Sequence, residues 1–302
     1  MHRPSISIIM NCYNSDRFLE EAIDSVYAQT IDDWEIIFWD NASTDQSGVI
    51  ARSYDDRLKY FRSEDTTLLG EARNFALKEV SGKYVAFLDC DDLYFPDKLR
   101  KQIALMDSND YAMCYGSAII INESGRQIRR NTTKNRSGFV FGQLLSHYEI
   151  NMQSVMVRRS VLTDNNFEFD SNLKYSPDYN LFMRIASTYN IGVINDVLVQ
   201  YRVWDGSLSS KSIDIAPYEI RITLDQIVEQ FPELRERFAL EFDKAYDKLH
   251  YYKALSSIYR NDRKIARMEL RTIIYSKIEY LLLYLLLFFP IPSHIILKIL
   301  RR

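Results

Sequence analysis

The stretch that decides the fold is residues 84–92, which read YVAFLDCDD. The first five of these residues carry no charge and form the short apolar run that is typical of a buried strand. Three carboxylates, Asp89, Asp91 and Asp92, follow within four residues. Ligands of parallel α/β sheets collect outside the carboxyl ends of the strands. This stretch therefore predicts a strand that leads directly into a ligand site.

Similar apolar runs lie on either side of this strand and alternate with helical patterns. Strands are predicted at 5–10, 35–39, 58–61 and 84–88. Helices are predicted at 18–29, 70–80 and 96–106, the last with Pro96 in its first turn. Alternation at this spacing predicts an α/β fold that is Rossmann-like, with a mainly parallel sheet and helices on both faces.

The pattern changes after residue 110. Strands are predicted at 111–121, 152–157, 192–195 and 197–203, and a helix at 177–189. We expect these elements to complete the same domain as a mixed sheet. From residue 215 onward only helical periodicity remains. The sequence thus predicts an α/β domain at 1–210 and a helical C-terminal region at 211–302.

The acids at 89–92 repel one another unless a cation lies among them. At the end of a buried strand, such carboxylates suit a hard divalent ion, which could bridge a diphosphate and neutralise a leaving nucleotide. A solvated acidic turn is the simpler alternative. A phosphatase-like nucleophile at Asp89 is disfavoured, because the motif lies deep in the chain and continues into Leu93.

Two further polar clusters follow the first two strands, at 11–14 and 40–45. The carboxylate of Asp40 could accept hydrogen bonds from a base or from ribose hydroxyls. Residues 43–45, Ser-Thr-Asp, are typical of a helix start, where they would cap free N–H groups. The first strand is not followed by G-x-G-x-x-G, which argues against a dinucleotide cofactor.

Arg73 and Asp178 lie in the first turns of two predicted helices. Arg73 could reach a phosphate or the acidic cluster, or could form a surface salt bridge. Asp178 could complement the helix dipole, or could act as a general base for an incoming hydroxyl group. Neither alternative is decided by the residues alone.

The charge is unevenly distributed. The chain has 302 residues and a formal charge of −3, too balanced for a nucleic-acid binder. Residues 260–302 hold nine Lys/Arg and three Asp/Glu, a surplus of six positive charges, so the first 259 residues carry −9. Three cysteines, Cys12, Cys90 and Cys114, have no zinc-site spacing and are interpreted as reduced and buried.

Taken in chain order, these motifs resemble the inverting family-2 glycosyltransferases of the GT-A fold. The resemblance covers about residues 4–210. It is carried by Asn11-x-Tyr13-Asn14, the stretch 40–45 (DNASTD), Gly70-x-x-Arg73-Asn74, the stretch 87–92 (FLDCDD) with 96–99 (PDKL), Asp178-Tyr179-x-Leu181-Phe182-x-Arg184, and Tyr201-Arg202 with Ser207 to Ser209.

The resemblance implies a role for each matching residue. A nucleotide-sugar donor, with UDP as the expected nucleotide, would contact Asn11, Tyr13, Asp40, Arg73, Asp89, Asp91 and Arg202. A divalent metal, Mn or Mg, would be held by Asp91 and Asp89, and Asp178 would be the catalytic base. The reaction would be a single displacement with inversion onto a glycan or lipid-linked acceptor. A non-catalytic sugar-nucleotide-binding module and a nucleotidyltransferase are the alternatives.

Two positions depart from that family's pattern. Pro177 stands where a glutamate commonly precedes the base, and Trp204 stands near the place of a histidine. The departures bear on the geometry around the base and on one diphosphate or metal contact. The side chain of Trp204 would either stack on a sugar ring or pack in the core.

The end of the chain predicts contact with a membrane surface. Residues 281–291 form an apolar run, but a helix over 281–289 would extend only about 14 Å, roughly half of a bilayer core. Prolines at 290 and 292 interrupt it, so an interfacial anchor is predicted rather than a span. With no secretory signal visible in residues 1–10, we expect the cytoplasmic face. Packing on the first domain or a homodimer contact is the alternative.

Overall fold

The computed structural model describes residues 3–204, 206, 215–293, 295 and 296. Within these residues the strands form one nine-stranded sheet in the order β3-β2-β1-β4-β8-β6-β9-β5, with β7 paired to β6. The strands are β1 (Ile6–Cys12), β2 (Trp34–Asp40), β3 (Leu58–Arg62), β4 (Tyr84–Phe87), β5 (Leu93–Tyr94), β6 (Met113–Ile121), β7 (Gln127–Asn131), β8 (Met156–Arg158) and β9 (Ile191–Arg202).

The first four strands of this order are parallel, as predicted from the alternating pattern. β8 then runs antiparallel to both β4 and β6, whereas β6 and β9 are parallel. The second half is therefore the mixed sheet that the sequence predicts. In the parallel half, Cys12 lies opposite Asp40, and Ile9 lies opposite Phe87. This register brings the polar clusters after β1, β2 and β4 to one edge of the sheet.

Helices connect the strands and follow them. Their apolar faces explain why they form; in α1, for example, the buried residues Phe18, Leu19, Ala22, Ile23 and Val26 recur at helical spacing. The helices are α1 (Asp16–Tyr27), α2 (Ser47–Ala51), α3 (Leu69–Lys78), α4 (Lys98–Asp107), α5 (Phe141–Ser146), α6 (Arg159–Asp164), α7 (Pro177–Thr188), α8 (Ala216–Gln230), α9 (Pro232–Arg237), α10 (Ala239–Tyr259), α11 (Arg263–Ile273) and α12 (Ile278–Leu286).

Three details differ from the sequence-based expectations. The strands predicted at 192–195 and 197–203 are one strand, β9, in which a register shift near Ile194 and Val197 absorbs the polar residues between them. The strand predicted at 152–157 is a 3-10 turn, Met152–Ser154, followed by β8. Pro96 precedes α4 and its N-cap residue Asp97 instead of occupying the first helical turn.

The chain divides into two compact units. The first comprises Met1–Phe141 and Tyr148–Asp205, and the second comprises Gly142–His147 and Gly206–Arg302. The boundary expected near residue 210 falls in 207–214, outside the described residues. Beyond residue 215 the described residues form helices and no strand, as predicted. The second unit has its own apolar core, built from α10, α11, α12 and the turn that follows.

Candidate active site

Asp40 ends β2 and is completely buried. One carboxylate oxygen accepts a hydrogen bond from the Tyr60 hydroxyl at 2.5 Å and another from the Arg62 guanidinium at 2.7 Å. The other oxygen accepts the backbone N–H of Ser43 at 2.7 Å. Burial raises the pKa of Asp40, but these hydrogen bonds and the charge of Arg62 outweigh it, so the pKa lies below its ordinary value. Asp40 is therefore an ionised anchor that shapes the 40–45 loop.

The 11–14 loop is joined to this loop by hydrogen bonds. Asn14 has a left-handed backbone with φ of 47°, and its side-chain oxygen accepts the N–H of Thr44 at 2.8 Å. The hydroxyl of Ser43 accepts the N–H of Asn14 at 3.0 Å. The ring of Tyr13 next to it is 52% exposed. The two loops are thus joined into one wall, with the Tyr13 ring open to solvent.

Asn11 lies near the end of β1, between the buried residues Met10 and Cys12. Its side-chain nitrogen and oxygen are both buried, and neither has a hydrogen-bond partner among the described residues. A buried amide without partners costs about 1–3 kcal/mol per polar atom. The amide of Asn11 is therefore a site where a polar ligand group would find both a donor and an acceptor.

Asp89 lies just beyond β4, and its carboxylate is held from two sides. Gln153 donates to one oxygen at 2.6 Å, and the buried guanidinium of Arg73 donates to the other at 3.3 Å. Side-chain exposure of 37% leaves part of the carboxylate open. Gln153 was not predicted as a site residue; it lies within the strand predicted at 152–157, where it and Ser154 are the polar residues.

Asp91 is fixed by the end of β9. The indole N–H of Trp204 donates to the Asp91 carboxylate at 2.8 Å, and the guanidinium of Arg202 donates to the Asp91 backbone oxygen at 2.9 Å. The Trp204 ring also contacts Phe18 edge-on, with ring centres 5.7 Å apart. Trp204 thus positions Asp91, a role that neither of the two expectations for it contained.

Arg202 is buried and spends its guanidinium on internal partners. Besides Asp91, it donates to the backbone oxygen of Glu123 at 3.0 Å and to the carboxylate of Glu21 at 2.8 Å. Its backbone N–H donates to Asp92 at 2.6 Å. The contact to a donor molecule expected for Arg202 stays a prediction, and these bonds favour a positioning role instead. Ser207 to Ser209, expected in the same segment, lie outside the described residues.

The carboxylates of Asp89, Asp91 and Asp92 repel one another. Burial raises the pKa of Asp91, and the neighbouring Asp89 carboxylate raises it further. Burial and the same two acids hold the pKa of Asp92 well above its ordinary value. One oxygen of Asp92 is buried without a partner among the described residues. A cation beside Asp89 and Asp91 would relieve this repulsion.

The donor set fits a hard divalent ion. No group of three or more His, Cys, Asp or Glu side chains suited to a metal occurs in the part of the chain that the structure describes. Mg²⁺ and similar ions are commonly held by one or two carboxylates together with substrate phosphates. Asp89 and Asp91 supply that smaller set.

Asp178 lies at the start of α7, where the backbone N–H groups of Asp178 and Tyr179 hydrogen-bond to its carboxylate. Burial raises the pKa of Asp178, the charge of Arg73 lowers it, and the charge of Asp89 raises it, so the pKa lies above its ordinary value. Asp178 therefore lies within electrostatic reach of Arg73 and Asp89. A buried carboxyl group with a raised pKa is suited to accept a proton.

Tyr148 borders Asp178. Its ring packs against Tyr179 with ring centres 4.7 Å apart, and its buried hydroxyl has no hydrogen-bond partner among the described residues. Burial raises the pKa of Tyr148 well above its ordinary value, and the charge of Asp178 adds to the effect. Tyr148 lies in a stretch without a motif, so no sequence pattern singles it out.

The chain is similar to known glycosyltransferases in sequence. The family model described as "Glycosyl transferase family 2" matches residues 7–164. The Escherichia coli protein named UDP-Glc:alpha-D-GlcNAc-diphosphoundecaprenol beta-1,3-glucosyltransferase WfgD is 32% identical over 208 residues, which is 68% of this chain and 79% of WfgD. An uncharacterized glycosyltransferase of Rickettsia felis is 34% identical over 209 residues. That match spans 68% of this chain but only 34% of the Rickettsia protein.

Solved structures share the fold. S. aureus TarS 1-349 in complex with UDP-GlcNAc has a TM-score of 0.62 at 20% identity, covering 89% of this chain and 90% of that one. Mannosyltransferase PcManGT from Pyrobaculum calidifontis, in complex with GDP-Man and Mn²⁺, has a TM-score of 0.62 at 17% identity, covering 98% and 79%. At these identities the likeness concerns the fold alone.

Proposed function

Because the chain belongs to glycosyl transferase family 2 and has the GT-A fold, we propose that it transfers a hexose from a nucleotide-sugar to a hydroxyl group of an acceptor, with inversion at the anomeric carbon. One observation supports the proposal most strongly. A carboxyl group with a raised pKa, Asp178, is coupled to the Arg73–Asp89 pair at the edge of the sheet where ligands collect.

The nucleotide binds along the wall formed by the 11–14 and 40–45 loops. The half-exposed ring of Tyr13 offers a stacking surface for a base, and the unpaired amide of Asn11 offers a donor and an acceptor. Asp40 acts by holding the loop that carries Ser43. We propose UDP as the nucleotide, in line with the names of WfgD and the TarS complex, and GDP as the alternative that a binding assay must exclude.

Asp89 and Asp91 would hold Mn or Mg together with the donor diphosphate. When bound, the ion supplies positive charge that stabilises the leaving nucleoside diphosphate. Trp204 and Gln153 keep the two carboxylates in place, and Arg73 offers further positive charge beside them.

Asp178 removes the proton from the acceptor hydroxyl as its oxygen bonds to the anomeric carbon. The bond between that carbon and the diphosphate oxygen breaks in the same step, and the electron pair leaves with the nucleoside diphosphate. A base on the acceptor side and a stabilised leaving group on the other side suffice for a single displacement. This mechanism is that of an inverting enzyme.

The acceptor is proposed to be a lipid-linked or surface polysaccharide intermediate, as the name of WfgD suggests for that relative. An acceptor with a lipid anchor would require the enzyme to work at a membrane surface, and we propose the cytoplasmic face. A homodimer is compatible with the same function.

The base assignment is tested with Asp178→Asn. We expect the variant to bind UDP-sugars with nearly unchanged affinity but to turn over at least about 10²-fold more slowly, because the general base is lost while the shape is kept. An assay for released nucleotide measures both donor hydrolysis and transfer. The control is Asp164→Asn, because Asp164 is an exposed acid in α6. A collapse in donor affinity would instead make Asp178 part of the donor site.

The metal assignment is tested with Asp91→Asn and with chelation. Calorimetry should find that UDP binds more tightly with Mn²⁺ than in EDTA, and that Asp91→Asn removes most of the difference. Wild-type protein that turns over fully in EDTA would contradict this assignment. Wild-type protein that binds UDP-sugar but never releases UDP, with any metal, would favour a non-catalytic binding module.

A further inference from the structure

α12 is apolar over most of its surface, and Glu279 is its one charged residue. Tyr280 and Leu283 are buried in the core of the second unit, where Leu287 from the following turn joins them. On the outward side, five large apolar side chains are between 48% and 63% exposed: Ile278, Leu282, Leu285, Phe288 and Phe289. We call these five residues the apolar face.

The spacing makes this face continuous. Ile278, Leu282 and Leu285 are separated by four and three residues, so they line one side of α12, and the two phenylalanines extend the same side into the next turn. A helix with so many apolar residues is normally covered on most of its sides, by protein or by lipid. In the first unit the apolar sides of α1 are buried, whereas here one side is left open to solvent.

A row of positive charges runs beside the apolar face. Lys264, Arg267 and Arg271 are spaced by three and four residues along α11, so they share one side of that helix. The guanidinium of Arg267 lies over the ring of Phe288, 4.7 Å from its centre. This contact fixes the basic side of α11 against the edge of the apolar face. Lys277, just before α12, is exposed as well.

The two acids near the basic row, Asp262 and Glu269, are bonded to groups outside that row. Asp262 accepts the N–H of Ile265 as the N-cap of the helix. Glu269 is hydrogen-bonded to His250 at 2.7 Å. Glu279, in the first turn of α12, is exposed. Four cations, Lys264, Arg267, Arg271 and Lys277, outnumber it, so the charge presented beside the apolar face is mainly positive, which suits anionic headgroups rather than a basic or neutral apolar partner.

We propose that the apolar face and the adjoining basic row form a docking surface for a lipid bilayer that contains anionic lipids. The apolar side chains enter the boundary between headgroups and acyl chains, while Lys264, Arg267, Arg271 and Lys277 contact the phosphates. The surface rests on contacts within the second unit alone, so it holds whether or not the proposed transfer reaction is correct.

The geometry favours a helix that lies in the membrane surface. α12 has nine residues and is about 14 Å long, roughly half of a bilayer core. Among the described residues, no helix is long and apolar enough to cross a membrane. Arg263 donates to the backbone oxygens of Phe289 and Ile291, which holds the turn after α12 in place.

The full chain is tested by flotation with vesicles of phosphatidylcholine alone and with phosphatidylglycerol added. We expect wild-type protein to float with the anionic vesicles and to be released by salt. The triple variant Leu282→Gln, Leu285→Gln, Phe289→Gln should bind at least about tenfold more weakly, because its apolar contribution is lost. The matched control is Ile222→Gln with Leu240→Gln, two exposed apolar residues on other helices of the same unit.

A charge variant separates the two halves of the surface. Lys264→Gln with Arg271→Gln and Lys277→Gln should remove the preference for anionic vesicles and the salt sensitivity, with residual binding through the apolar face.

Light scattering on each variant gives the oligomeric state. Wild-type protein that does not float, or a triple variant that floats like wild type, would overturn the proposal. A dimer that the triple variant converts to a monomer would assign the face to a second copy instead. UDP-sugar hydrolysis, measured separately, reports on the proposed reaction.

Discussion

Three effects act on the pKa of the Asp178 carboxyl group. Burial and the Asp89 charge raise its pKa, whereas Arg73 lowers it. A base works only when deprotonated, so the turnover rate should fall as the pH drops through this raised pKa. Arg73→Gln removes the opposing charge, and its acidic limb should therefore lie at higher pH than that of the wild-type enzyme. The measurement is the pH dependence of donor hydrolysis at saturating UDP-sugar. An acidic limb at the same pH in the variant would show that the charge of Arg73 does not influence the pKa of the base.

Tyr148 offers a hydroxyl group that the protein itself leaves unused. If this hydroxyl hydrogen-bonds to the acceptor, Tyr148→Phe should raise the acceptor KM by roughly tenfold and leave the donor KM unchanged. The melting temperature should stay the same or rise, because the variant removes a buried hydroxyl without a partner. Steady-state kinetics with both substrates varied, together with thermal melts, check this. A fall in stability with unchanged kinetics would make Tyr148 a structural residue.

At the scale of single residues, sequence reasoning located the groups but not their partners. Asp89, Asp91 and Asp178 could be selected because acids at strand ends and helix starts have recognisable positions. The internal bonding of Arg202 could not be foreseen, since Glu21 and Glu123 lie far from it in sequence. The same holds for Gln153, which reaches Asp89 across 64 positions of the chain.

At the scale of elements, α3 packs tightly against the segment 169–170 that leads towards α7. A Cβ atom added at Gly70 would lie 2.6 Å from the backbone oxygen of Asp170 and 3.4 Å from the Pro177 side chain. Asn74, one turn further on, exchanges two hydrogen bonds with the backbone of Phe169. These contacts join α3, which carries Arg73, to the segment that leads into α7, which carries Asp178.

Gly70→Ala should therefore disturb catalysis more than stability. The added methyl group must push the backbone at Asp170 away, which would displace the base relative to the donor, and small displacements of this kind can cost about 10²-fold in rate. We expect a large fall in turnover with a modest fall in melting temperature. Gly142→Ala, which would meet a phenylalanine ring in the second unit, is the comparison. Full activity in Gly70→Ala would show that the close approach has no role in positioning the base.

The elements themselves were predictable where one pattern dominated. The four parallel strands and α1 follow from local apolar runs of the right length. β5 has two residues and β7 is exposed throughout, so neither leaves a hydrophobic pattern to detect. The prediction divides β9 at Asp196, because a charged residue often ends a strand, whereas here a register shift with β6 accommodates it.

At the scale of the whole molecule, we expect the ionisation of Lys98 to make the free energy of unfolding depend on pH. This side chain is completely buried, donates to Gln102 at 2.7 Å, and has its pKa lowered to about 7 by burial. In the unfolded chain the same lysine keeps its proton up to about pH 10. Between these values the unfolded state binds more protons, so the free energy of unfolding should rise with pH above about 7.

Lys98→Met should remove this rise. The difference in free energy of unfolding between wild type and variant should change by up to about 1.4 kcal/mol per pH unit between pH 7 and 9, and be flat below pH 6. Urea denaturation at a series of pH values measures it. Taking the difference cancels the ionisation of groups common to both proteins. Parallel curves for the two proteins would mean that Lys98 is not neutral in the folded state.

The second unit draws residues 142–147 from the middle of the chain. Its remaining residues begin only at 206, and the ring of Phe238 lies against Gly142. During synthesis on the ribosome, the 142–147 segment is therefore made before residues 206–302 of the same unit, and it cannot pack against them until they have been made. For anyone building chimeras, the helical unit cannot be exchanged as a C-terminal cassette. A hybrid joined near residue 206 would keep a segment fitted to the helices it has lost, and both segments must be exchanged together.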